Sequence, residues 1–449
     1  MTEKFEYEGK WWLPDKPEEQ IHGTLKFSPF EKAVLDLKGA FKIAEPEVIW
    51  GILLDGRKIT LFKCFLNELK VSSSGSVSSF DAYFVFIGDH FQKAENIKFK
   101  RVSVHYSYVD KWANDVTGFD KGTLWDEMMK EEEIMIKYRL PQSFIANVSD
   151  DLKVSLKFEV KRSVRYREVS IREMPVIVIE TFRDRTFKRY RNIIRHMQHF
   201  LSLGVGKPVY PLAIEGITER EKPIIIFHRS QAIPTPEPVY SHEMLFTFRD
   251  ISDRFESFLR NWFKKADALK SVYDLYFGTL YNPHAYLEQQ FLSLVQAIEA
   301  FHRYAYKDRD KYLTKDKYLQ VKNKLMEAIP DWVDNAWKDK LKGFLKYGNE
   351  FSLPKRLNQI VEEYSEVVNK FINNKKNFVG KIVNTRNYLV HRDEELRECA
   401  ASGGELGQLT QRLKALLEVC LLKELGFSLK EIKGITKSKI HISGKFIEI

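Results

Sequence analysis

Cysteine is almost missing from this chain of 449 residues, and its three copies, Cys64, Cys399 and Cys420, are too few and too scattered for a disulfide framework or a Cys-x-x-Cys zinc site. A reducing compartment is therefore expected. Long apolar runs are missing too. The longest, such as 176–179 and 224–227, fall far short of the roughly 20 residues a membrane helix needs. The first dozen residues hold no basic-then-apolar leader. The expectation is a soluble cytoplasmic protein with no membrane partner. No P-loop, Rossmann fingerprint, Gly-x-Ser-x-Gly elbow or His-Glu-x-x-His occurs, which removes the usual nucleotide, hydrolase and zinc-protease readings. His196 and His199 stand three apart, but no carboxylate or cysteine nearby completes a metal set, so neither a cofactor nor a metal is expected. An acidic excess is also absent: 72 Lys and Arg against 62 Asp and Glu give a net charge of +10, which favours a polyanionic partner.

What is present falls into two halves with different periods. With 44% hydrophobic residues the chain can build real cores in two or three domains. The front half is a series of short β-rich runs broken by turns. Strands are predicted at 21–27, 33–37, 59–65, 82–87, 97–106, 144–148, 152–158, 164–171, 175–181, 209–214 and 223–227, with one more near 244–248. Asp55-Gly56 is a hairpin signal, the Ser- and Gly-rich stretch 72–79 a loop, 125–137 an acidic helix or covered edge, and 183–203 a helix. From about residue 251 the period becomes 3.6, with helices predicted at 253–269, 287–304, 319–328, 333–344, 357–369, 378–392 and 406–425. The Lys-rich end, 427–449, reads as a terminal hairpin or a basic tail. The fold class is thus α+β and multidomain: a curved or sandwich-like β-rich domain with a packed helix over 1–250, and an all-α bundle over 251–449.

Arg386-Asn387-Tyr388-Leu389-Val390-His391 carries the densest chemistry. On a helix, Arg386, Asn387 and His391 fall within an arc of roughly 140°, with Asn387 and His391 at i, i+4. Arg386 offers a permanently charged fork for phosphate, Asn387 an amide that can orient a neighbour, and His391 a proton exchanged near neutral pH. That set suits phosphodiester transesterification. Against it stands a plain surface cluster in which Arg386 pairs with Asp393 or Glu394. Upstream, Gln296, Glu299 and Arg303 lie opposite an apolar stripe that includes Leu294, Ile298 and Phe301. Glu299 is either a member of the site or an ordinary ion pair with Arg303 at i+4. His302 reads as packing or capping.

These two segments resemble the HEPN ribonucleases, most closely the ApeA-like branch of bacterial anti-phage proteins, over roughly the last 200 residues and more loosely before them. In that family Arg-x4-6-His is the catalytic signature, and Arg386 to His391 matches it with a spacer of four and the Asn directly after the Arg. The resemblance implies a HEPN bundle over 251–449 whose first helix supplies an acid, here Glu299, near the site. It further implies a homodimer whose two motif helices meet at a two-fold axis, and an abortive-infection role in which a phage-derived trigger acts through the front half. The implied partner is RNA, with tRNA one candidate. The alternatives are a silent HEPN dimerisation or RNA-binding module beside a ligand-sensing β domain, and a carbohydrate-binding β-sandwich using Trp11, Trp12 and Trp50.

Overall fold

The computed structural model describes residues 4–29, 31–73, 75–120, 136–229, 238–307 and 309–443, the last seven of these as backbone only. The chain divides into two compact units, Met1–Phe263 and Lys264–Ile449.

The first unit is built on a twelve-stranded antiparallel sheet. Its first six strands, β1 (Phe5–Trp12), β2 (Ile21–Phe27), β3 (Ala33–Leu37), β4 (Val48–Leu53), β5 (Lys58–Ser72) and β6 (Gly75–Ile87), run in the order β3-β2-β1-β4-β5-β6. A further pairing of β3 with β6, Leu35 opposite Phe80, closes them into a barrel. Closure removes the open edges an antiparallel sheet would otherwise leave. Alternate residues point inward, so Leu25, Leu35, Ile49, Leu61 and Phe80 surround the buried Trp11. Gly51 on β4 lies flat against that indole: a Cβ there would stand 2.3 Å from the ring, so only glycine fits. The far half of β6 pairs on with β12 (Pro223–His228), and the sheet continues through β11 (Pro211–Ile217), β7 (Arg101–Tyr106), β10 (Glu168–Thr181), β9 (Leu152–Arg165) and β8 (Phe144–Ser149). Helix α1 (Phe187–Val205) packs on this extension; Thr186 caps its start and Gly206 its end, and the Tyr190 hydroxyl donates to the carbonyl of Phe99 at 3.1 Å.

Several sequence expectations change here. The Ser-rich stretch 72–79 is strand from Gly75 onward, with Val71 opposite Ser76, because the β5–β6 ladder carries it. The strand expected at 164–171 straddles a hairpin turn, since Arg165 pairs with Glu168. Residues 244–248 bury Met244, Leu245, Phe246 and Phe248 without forming a strand; an apolar run reads the same whether its backbone is extended or irregular. The segment 125–137 lies outside the described residues except for its last two. Helix α2 (Phe255–Lys265), drawn from sequence with the helical half, packs on the first unit: Trp262 donates to the carbonyl of His196 at 3.0 Å, and the Glu256 carboxylate accepts the Asn147 amide at 2.9 Å.

The second unit is all-α. Its longer helices are α3 (Lys270–Tyr281), α4 (Leu287–Ala305), α5 (Lys315–Glu327), α6 (Asn335–Tyr347), α7 (Leu353–Glu363), α8 (Lys375–His391), α9 (Gly403–Leu425) and α10 (Leu429–Ser443). Leu294 and Ile298 of α4, Ile360 of α7, Ile382 of α8 and Leu413 and Leu416 of α9 are buried in its core. The chain end is neither a hairpin nor a tail as far as residue 443: α10 starts at a reciprocal cap in which Ser428 and Glu431 bond each other's backbone amides. Among the described residues no helix is long and apolar enough to cross a membrane.

Candidate active site

Helix α8 begins where the Asn374 side chain accepts the Asn377 amide at 2.9 Å. Its inner face is the stripe Phe378, Val379, Ile382 and Thr385. That stripe leaves Asn387 and His391 on the other side and Arg386, one turn beyond Ile382, at its edge: Arg386 and Asn387 are half-buried and His391 is exposed. The helix stops directly after His391 because Arg392 turns left-handed, at φ 55° and ψ 38°, and donates its amide to the Tyr388 carbonyl at 2.8 Å. A non-glycine residue in that region is uncommon, and here it sets the direction in which the chain leaves the motif. The returning segment is pinned back by Thr385, whose hydroxyl donates to the Lys381 carbonyl at 2.7 Å and accepts the buried Ala401 amide at 2.9 Å. Thr385→Val keeps the shape but orphans that amide. It should destabilise the helical unit by about 1–3 kcal/mol in urea unfolding, against less than 0.5 kcal/mol for the exposed Val390→Thr.

Arg386 Nη1 donates to Asn387 Oδ1 at 3.0 Å, which is the only hydrogen bond of that guanidinium among the described residues. It forms no ion pair there. Glu394, one expected partner, is taken by Arg397 at 3.3 Å, and Asp393 accepts the Glu395 amide at 3.1 Å. A half-buried guanidinium held by one amide, with most of its donors unused, suits an anion better than a surface ion pair does. The neighbour that the Asn387 amide holds is thus Arg386.

Among the described residues Glu299 is bonded to none of these three. It is half-buried on α4 and, among the described residues, makes no hydrogen bond or ion pair; its charge acts on Arg356. Arg303, its expected partner, pairs with Glu350 at 3.6 Å. Between them lies a buried network. Arg356 donates Nη1 to His302 Nδ1 at 2.9 Å, and His302 Nε2 meets Gln359 Oε1 at 2.9 Å. A guanidinium has no acceptor, so Nδ1 must carry the lone pair and Nε2 the proton, a tautomer assigned from the bonding pattern. Burial lowers the pKa of His302 and keeps it neutral. His302 also stacks on Tyr306 at 4.5 Å, so it packs and braces.

Helices α4 and α8 lie side by side along an open cleft of about 660 Å³, lined by Ser293 and Gln296 from α4 and by Tyr388, Leu389 and Arg392 from the end of the motif helix. The reading from sequence passed over Thr385 and Arg392. A Thr on an apolar helical stripe, three after Ile382, is a signal for a back-bonded hydroxyl; nothing local marks Arg392.

The other candidates are occupied. Trp11 and Trp12 are buried, and Trp50 stacks on His90 at 4.8 Å, so the three form no exposed sugar platform. Arg185, just before α1, pairs with Glu219, and Arg191 on that helix lies over the Phe84 ring. Among the described residues no three His, Cys, Asp or Glu side chains gather to hold a metal.

Comparison with known families matches ApeA N-terminal domain 1 to residues 6–262 and the Apea-like HEPN domain to residues 292–431. No curated protein and no solved structure matches the chain. HEPN domains are generally ribonucleases that bind RNA and often dimerise, which supports a ribonuclease role in anti-phage defence. The first match alone takes in more than half of the chain and the second includes Arg386, Asn387 and His391 on α8, so this protein belongs to the ApeA family and is an ApeA-like HEPN protein.

Proposed function

We propose that the protein is a metal-independent endoribonuclease that cleaves RNA by attack of the 2′-hydroxyl on the adjacent phosphorus. The observation that carries this reading is the Arg386 guanidinium, without an ion pair among the described residues and held by Asn387, which shares a helix face with the exposed His391. RNA brings its own nucleophile, so the protein need only move protons and stabilise charge on the phosphorane. Arg386 takes the non-bridging oxygens. His391 removes the proton from the 2′-oxygen or delivers one to the departing 5′-oxygen, leaving a 2′,3′-cyclic phosphate and a 5′-hydroxyl. One imidazole cannot do both in a single step. A homodimer with two motif helices across a two-fold axis supplies the second, and the outward placement of Asn387, Val390 and His391 is compatible with such a face. Glu299 has no part in this scheme.

The β-rich first half is the regulatory part, holding the nuclease silent until a phage-derived trigger arrives; the released enzyme attacks cytoplasmic RNA in an abortive response. The test is incubation of purified protein with RNA in EDTA. Cyclic phosphate ends on RNA, with no cleavage of the 2′-O-methyl analogue, are expected. Cleavage that needs a divalent ion or leaves 3′-hydroxyl ends would overturn the mechanism, and tight binding without cleavage would favour the silent RNA-binding module.

A further inference from the structure

Helices α5 and α6 form an arm unlike the rest of the bundle. Neither contributes a buried residue, whereas every other helix of the bundle up to α9 does. The two lean on each other through a thin seam in which the Tyr318 hydroxyl donates to the Leu345 carbonyl at 2.7 Å. Their root, by contrast, is firmly held. Asn349 closes it, accepting the Leu313 amide and donating back to the Leu313 carbonyl, each at 2.8 Å. Asp310 and Glu350, at the two strands of the stem, both reach the buried Arg356, at 3.9 and 3.2 Å. The arm is thus anchored to Arg356 of α7 and, by way of His302, to α4, one of the helices that line the cleft beside the motif helix, and at thirteen residues each its helices extend for about 20 Å.

Its surface combines two features that rarely coincide without a ligand. Large apolar side chains stand in solvent: Trp332 at the tip is 86% exposed, Trp337 51%, Phe344 64% and Tyr347 59%. Trp337, Lys340, Phe344 and Tyr347 are spaced i, i+3, i+7 and i+10, so they share one face of α6. Between residues 311 and 347 the arm also carries nine lysines against five carboxylates, and among the described residues only Lys342 is held in an ion pair, with Asp339. An exposed apolar patch marks a binding surface. Protein interfaces are depleted in lysine, so aromatic rings interleaved with lysines, such as Lys340 6.0 Å from the Phe344 ring and Lys346 5.4 Å from Tyr347, fit a polyanion with stackable faces better than a protein.

We propose that the arm is an RNA-anchoring element that binds an unpaired stretch of the substrate, with bases stacking on Trp337, Phe344 and Tyr347 and phosphates meeting Lys340 and its neighbours. This rests on RNA being the substrate of the Arg386–His391 site, yet it concerns binding and not chemistry. It is tested with the full-length protein and a fluorescent, uncleavable 2′-O-methyl RNA strand of about 20 nucleotides, alone and as a duplex.

Trp337→Ala/Phe344→Ala should weaken single-strand binding about tenfold or more and duplex binding little, since stacking requires unpaired bases. Lys340→Gln/Lys346→Gln should lower the slope of log affinity against log salt by about 1.4. All four positions are exposed, folding of each variant is to be checked by circular dichroism, and Trp332→Ala at the tip gives an independent second variant. Unchanged binding by the aromatic variants, no binding by the wild type, or a variant that loses oligomer mass in sedimentation while keeping RNA affinity would each overturn the proposal; the last would make the arm a protein interface. Failure of the wild type to cleave ordinary RNA, with the arm variants still losing affinity, would sink the nuclease reading and leave the anchor intact.

Discussion

His391→Ala is expected to lower the single-turnover rate of RNA cleavage by about 10²- to 10⁴-fold, the usual contribution of a positioned acid or base, while leaving the melting temperature unchanged. The second half of that expectation follows from placement. His391 is the last residue of α8, exposed and without a hydrogen bond among the described residues, so its removal opens no cavity and orphans no partner. The separation of rate from stability makes the test sharp. A loss of less than tenfold would show that His391 merely lines the surface. A large loss accompanied by a lower melting temperature would point to damage at the αL turn that follows it. If the site is composite, mixing His391→Ala with Arg386→Ala chains should restore part of the activity, because one of the two clefts in a mixed dimer would regain an intact pair wherever the two residues act across the axis.

Arg386→Lys is expected to fail almost as badly as Arg386→Ala, with each losing about 10²- to 10³-fold in cleavage under saturating RNA, as removal of a charge-stabilising donor typically does. Lysine keeps the charge but not the planar fork. It also cannot reproduce the present arrangement, in which one nitrogen is spent on Asn387 Oδ1 at 3.0 Å and the others make no hydrogen bond among the described residues. Recovery of most activity by lysine would reduce Arg386 to an electrostatic attractor, and its defect would then vanish at saturating RNA and deepen with salt. Asn387→Ala belongs to the same series: it should weaken cleavage through a looser Arg386, and have little further effect in an Arg386→Ala background.

What could be read from the chain alone was whatever is encoded within one or two turns of backbone. Strands β2 and β3 alternate cleanly between inward and outward residues, and their bounds agree with the pattern because burial on one face imposes a period of two. Helix α8 carries a buried stripe at helical spacing, so the polar face of Asn387 and His391, with Arg386 at its border, follows from the spacing alone. The Ser428 and Glu431 cap of α10 is equally local, although the isoleucines and lysines that follow it read as a hairpin or a tail.

The rest depended on partners far away in sequence. Barrel closure joins Leu35 to Phe80, and the serines of β6 are strand only because β5 lies beside them. No local propensity announces such pairings; their stability comes from a ladder that exists once both strands have met. The same holds at the site. The exception is Arg386, whose expected partners Glu394 and Asp393 are taken by close neighbours, Arg397 and the Glu395 amide. For Glu299 it is Arg356, fifty-seven residues on, that feels the carboxylate's charge. Sequence determined which side chains share a helix face, because helical geometry is the same everywhere; the tertiary structure alone decided which charges are spent on neighbours and which remain for a ligand, because that is a competition among groups that only folding brings together.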